Sequence, residues 1–307
     1  MPQRLHCCLT SLLLILLTAA SFAGDASHSI PMEIRGNMPF VQVMINGKGP
    51  FTFSIDTGTG GQALVTPDLI QRLGLPVIGE EEVGDPSGRN SRKVPTVRID
   101  SLKVAGLEFT DVTAIQHTPS PREGQCDGIL GFVLFRDYLF TLDYPGKQLT
   151  LDSGSLKPDG GNTVIPFTMP DQVPLIELSV ASGSSAVKVK AHLDSRGAGF
   201  SFPEKLAQGW KFASEPIVIG RGRTVSNDFE IKGGQLAGDI RVGGYTFPEP
   251  FIMINPIFPV ANFGAIPLQH FAVTFDQKNL LLRLAASQKS IVIDPPQRMR
   301  MSPPPAQ

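Results

Sequence analysis

The chain has 307 residues, with 27 Lys and Arg against 28 Asp and Glu and no dense run of either sign. That length allows two compact domains with a sizeable core, and the balanced charge argues against nucleic acid or an anionic membrane surface as a partner. The 31 Gly and 27 Pro lie between short apolar runs, which suits many strands and tight turns better than long helices.

The first residues read as a targeting signal. Arg4 precedes an apolar stretch from Leu9 to Phe22, and Ser21-Phe22-Ala23 offers small residues for a cleaving peptidase. Residues 1–23 are therefore expected to be removed and the rest exported, to a periplasm or the medium. The apolar stretch is shorter than the roughly 20 residues a membrane helix needs, and no other segment approaches that length, so no integral membrane segment is expected after signal removal. Cys7 and Cys8 leave with the signal and Cys126 remains alone, so no intramolecular disulfide can form and the core must hold the fold. Cys126 itself reads as a small half-buried residue beside a turn.

The segment from Ile30 to Asp152 recurs, heavily diverged, from Ile165 to Leu284. One copy opens Ile30-Pro31, passes through the alternating run PFVQVMINGKGPFTFSID and reaches Asp56; the other opens Ile165-Pro166, passes through PLIELSVASGSSAVKVKAHLD and reaches Asp194. Period-two alternation predicts half-buried strands, with turns at Gly47-Lys48-Gly49 and Ser182-Gly183-Ser184. A short helix is predicted after each Asp, in TPDLIQRLGL and in FPEKLAQGW, with Pro67 and Pro203 in the first turn. A Gly-rich stretch with strand patterning follows in each copy, suited to a hairpin reaching over a cleft. Each copy then has a Gly in an apolar run, DGILGFVLF or FGAIPLQHF, and ends in a strand pair. The expected divisions are lobes at 24–158 and 159–290, joined through the Gly- and Asp-rich segment 153–162, and a disordered Pro-rich tail at 291–307.

Asp56-Thr57-Gly58-Thr59 follows the apolar strand FTFSI, so a carboxylate stands where a buried strand turns into a loop. Burying a charge there requires donors, which the Thr57 and Thr59 hydroxyls and nearby backbone N–H groups can supply. Gly58 would let a second loop approach closely. FSIDTGT with DGILG downstream, 131 − 56 = 75 residues from Asp56 to Gly131, is similar to the aspartic peptidase superfamily of pepsin-like and retropepsin-like enzymes. In that comparison Ile129-Leu130-Gly131 looks like the strand that threads behind the catalytic loop. The resemblance covers nearly the whole mature chain. It implies an all-β fold of two similar β-barrel-like lobes with a cleft between them, and an aspartic-type endopeptidase acting on a peptide or protein substrate. One Asp from each lobe would share a proton and hold the attacking water. No metal or organic cofactor is implied, and both lobes in one chain imply a monomer.

The second aspartate in this reading is Asp194. Its loop, Asp194-Ser195-Arg196-Gly197, keeps a hydroxyl at Ser195 but puts a cation where the family has glycine, and Gly197 lacks the hydroxyl of Thr59. An Arg196 turned to solvent leaves catalysis intact. Turned inward, it would hold both carboxylates ionised and make the site a relic or a binder of carboxylate-bearing ligands. Ala265-Ile266-Pro267 is the expected counterpart of Ile129-Leu130-Gly131, with Pro267 in the place of Gly131. Two alternatives stay open: a non-catalytic peptide-binding or scaffold module, and a first-lobe dimer with a symmetric Asp56/Asp56 site. The first-lobe hairpin around Asp85 to Arg92 would cover the peptide, without a tyrosine, since Tyr138, Tyr144 and Tyr245 fall elsewhere. Asp127, Asp143 and Asp276 read as turn residues. His117, His192 and His270 form no ligand spacing, and His192 reads as a packing residue.

Overall fold

The structure, a computed structural model, describes residues 28–84, 91–118, 126–183, 185–223 and 228–294. The expected signal, the hairpin tip at 85–90 and tail residues 295–307 lie outside these.

The alternating runs form strands as their period requires. Met38–Ile45 and Lys48–Asp56 pair antiparallel and bury Phe40, Val43, Ile45, Phe51, Phe53 and Ile55. Their turn is Asn46-Gly47, both with left-handed φ (48° and 74°), and not Gly47-Lys48-Gly49 as the glycine spacing suggested. Asn-Gly is the pair that a two-residue hairpin turn with positive φ favours. The predicted first helix spans Pro67–Leu73; the Thr66 hydroxyl accepts from Leu69 N–H, and Gly74 ends the helix in the left-handed conformation. Its counterpart is one turn, Glu204–Ala207, entered through Pro203.

The fold is all-β and two-lobed. Eight strands between Glu33 and Gly131 form the first-lobe sheet, which curls so that Met38–Ile45 also pairs with Arg92–Val104. Nine strands between Leu175 and Phe263 form the second. A third, six-stranded sheet joins the lobes. Its central pair is Leu139–Asp143 against Ala272–Asp276, with the Thr141 and Thr274 hydroxyls 2.9 Å apart across the seam. Beneath it Phe132, Phe135, Phe140, Phe167 and Phe275 stack or meet edge to face, so the aromatic core spans the lobe junction.

The linker segment is pinned rather than loose: Asp159 accepts from the N–H groups of Asn162, Thr163 and Val164. Ile291 and Ile293 are buried, and Ile291 N–H donates to Thr246 O, so packed chain continues past the expected tail boundary at 291. Asp143 and Asp276 cap local turns, as their positions suggested, accepting from Gly146 N–H and from Asn279; Asp276 also accepts from Leu156 N–H, 120 positions away. Among the described residues no helix is long and apolar enough to cross a membrane.

Candidate active site

Each candidate aspartate sits at the C-terminal end of a long strand that has a parallel neighbour. Lys48–Asp56 lies beside Gly128–Gly131, with Asp56 opposite Gly131. Ser185–Leu193 lies beside Ala261–Phe263, with Leu193 opposite Phe263. The counterpart of Gly131 is therefore Gly264, one step beyond Phe263. This corrects the expected Ala265-Ile266-Pro267, which instead lies in a helical turn, Ala265–Leu268, like the 3₁₀ turn Phe132–Phe135. Both glycines allow close backbone contact: a methyl group on Gly131 would meet Gly61 O at 2.3 Å, and one on Gly264 would meet Gly197 O at 2.6 Å.

The two loops are locked together by a reciprocal set of bonds. The Thr57 hydroxyl donates to Leu193 O (2.7 Å) and accepts from Ser195 N–H (2.9 Å). The Ser195 hydroxyl donates to Ile55 O (2.8 Å) and accepts from Thr57 N–H (3.0 Å). Both residues are fully buried. Thr57 and Ser195 thus fix one lobe's loop on the other and do not donate to the carboxylates, which corrects the role expected of Thr57. Ser195→Ala would strip Ile55 C=O and Thr57 N–H of their partners in a dry site, at an expected cost of about 2–4 kcal/mol in a urea melt.

Asp56 Oδ1 accepts from Gly58 N–H (2.8 Å) and Oδ2 from the Thr59 hydroxyl (2.7 Å). Asp194 Oδ1 accepts from the N–H groups of Arg196 (2.8 Å) and Gly197 (2.7 Å), and Oδ2 from Asn262 Nδ2 (2.8 Å). The loops abut at Gly58, where a methyl group would fall 2.6 Å from Asp194 Cγ. Only a residue without a side chain fits against that carboxyl.

Arg196 turns inward. Its Nη1 lies 3.7 Å from Asp56 Oδ2, with the two side chains 12% and 13% exposed. An inward guanidinium was expected to leave both carboxyls ionised. Asp56 is nevertheless pushed up to about 6, because burial and the neighbouring Asp194 charge outweigh Arg196, the Thr59 hydroxyl and Gly58 N–H.

A cleft of about 560 Å³ opens beside Asp194. Ile231, Met253, Phe258 and Val260 give it an apolar wall, and Asp171, His192 and Asn262 line it with polar groups. His192 is half-buried and faces this cleft rather than only packing; burial lowers its pKa against the pull of Asp194 and Asp171. Cys126 donates to Gly128 O and is half-buried, as expected. Among the described residues no cluster of His, Cys, Asp and Glu has metal-holding geometry. Sequence reasoning missed Asn262 and Gly264; an amide in the apolar run before a glycine, PVANFGAI, was the available signal.

No curated protein matches the chain. Residues 41–134 match the family model described as aspartyl protease, a span that holds Asp56-Thr57-Gly58-Thr59 and Ile129-Leu130-Gly131. The first lobe thus carries an aspartyl-protease-family domain, set within a two-lobed all-β fold.

Proposed function

We propose that the mature protein is an exported aspartic-type endopeptidase, acting as a monomer through an Asp56/Asp194 dyad. The observation that carries this is the contact at Gly58, which brings Asp194 against the loop that cradles Asp56. Each carboxyl keeps donors on both oxygens, so the pair is built for negative charge yet crowded enough to retain a proton. With its pKa near 6, Asp56 carries that proton under acidic conditions and donates it to the carbonyl oxygen as charge develops there. Asp194 then takes the proton of the attacking water. An extended peptide would lie in the cleft between the lobes, under the first-lobe hairpin, with one side chain against the wall of Met253 and Phe258. Export rests on Arg4 and the apolar run from Leu9 to Phe22.

A second reading, a non-catalytic peptide-binding module, is favoured by one observation: the Arg196 guanidinium beside Asp56. The test is cleavage of a mixed peptide library from about pH 3 to pH 7, with a statine-type inhibitor as control. Cleavage that is inhibitor-sensitive and falls away above about pH 6 is the expected result. A well-folded protein that cuts nothing at any pH overturns the peptidase and leaves the binding module.

A further inference from the structure

In the first lobe, Asp56 Oδ2 is held by the hydroxyl of Thr59, three residues further along the same loop. The second-lobe loop has Gly197 at that step and no hydroxyl to offer. Asp194 Oδ2 instead takes its hydrogen bond from Asn262 Nδ2, on the neighbouring strand Ala261–Phe263. Asn262 stands opposite His192, two residues before Asp194, and the first-lobe residue at the matching register, opposite Ser54, is Ile129.

The second lobe thus differs from the first at two matching places: a hydrogen in place of a hydroxyl-bearing side chain at position 197, and an amide in place of an apolar side chain at position 262. They are sterically linked. A methyl group on Gly197 would lie 2.7 Å from Asn262 Nδ2, 2.8 Å from Asp194 Oδ2 and 2.9 Å from Asn262 Oδ1, so the amide and the carboxyl it holds together fill the space that a side chain on residue 197 would need. Asn262 Oδ1 is buried and has no hydrogen-bond partner among the described residues. Packing alone would favour an apolar residue there, as in the first lobe, because an unsatisfied buried acceptor is costly. What distinguishes the amide from an isoleucine is its N–H on the carboxylate.

We infer that Asn262 is a positioning residue for Asp194, a donor relocated from the loop to the adjacent strand. It fixes the rotation of the carboxyl so that one oxygen stays toward the partner aspartate. The inference rests on the dyad reading.

The experiment compares the parent with Asn262→Ala and Gly197→Ser. Asn262→Ala is expected to lower kcat about 10- to 100-fold with KM little changed. Gly197→Ser is expected to lower it too, by collision with the amide and with the Asp194 carboxyl. An unchanged kcat in Asn262→Ala overturns the inference. Thermal melts give a readout that needs no catalysis. The amide N–H is a donor to the carboxylate, so the melting temperature of Asn262→Ala should fall below the parent's at pH 7 and the gap should close in acid. Asp56, Arg196, His192, Asp171 and Tyr144, the titratable groups that act with Asp194 in this site, are present in both proteins, so the comparison changes the amide alone. A pH-independent deficit overturns the inference even if the parent cleaves nothing, and a converging one upholds it even if the peptidase reading fails.

Discussion

Asp56→Asn is expected to reduce peptide cleavage at least about a thousandfold, and to make the folded protein more heat-resistant at neutral pH than the parent. Activity goes because an amide can neither hold the shared proton nor release it. The gain in stability follows from the same carboxyl. Folded Asp56 releases its proton at about 6, against an ordinary value of 3.8. Between those values the folded chain binds more protons than the unfolded one, so stability falls as pH rises through that window and stays lower above it. Asparagine carries no charge and removes the deficit. Melting temperatures of variant and parent should agree near pH 3.5 and differ by a few degrees at pH 7. Asp194→Asn should match the loss of cleavage. If cutting survives in Asp194→Asn but not in Asp56→Asn, the site is built from two first lobes instead.

Arg196→Gly is the second large effect. The guanidinium beside Asp56 opposes the upward push from burial and from Asp194. Removing it should raise the Asp56 pKa further and move the alkaline limb of kcat/KM upward by about one pH unit. The glycine matches Gly58 across the junction, where a bare Cα already fits against the opposite carboxyl. Stability should respond in the opposite sense: at pH 8 the ionised pair loses its counter-charge, whereas at pH 4 the loss is small. A pH–rate profile for both proteins, with melts at the two pH values, checks this. A parent that is inactive beside an active Arg196→Gly would mean that the arginine alone silences the site.

The strands and short helices were legible because their signals are local. Alternation in FVQVMI and FTFSI, and the Thr-Pro-Asp opening of the first helix, specify burial and capping within a few residues. Asp56 was legible because a carboxylate directly after a buried strand needs an explanation. The counterpart of Gly131 was not. Pro267 lies 267 − 194 = 73 residues after Asp194 and Gly264 only 264 − 194 = 70, so spacing alone favours Pro267 against the 75 of the first lobe. Strand register decides it, and register is set by pairing across the sheet. The direction of Arg196 and the donor role of Asn262 likewise depend on residues about 70 to 140 positions distant in sequence, which no local pattern encodes.

The six-stranded sheet at the lobe junction ties the halves into one folding unit. Its strand order runs through His28–Pro31, Gln148–Asp152 and Leu139–Asp143, then Ala272–Asp276, Leu281–Ala285 and Val164–Pro166, three from each half. A first half made alone would present the full edge of Leu139–Asp143 as unpaired backbone. A protease nick in segment 153–162 of the intact protein, by contrast, would cut the chain without separating its pieces. Five residue pairs across the central seam, and the phenylalanine cluster beneath it, would hold both fragments together through gel filtration.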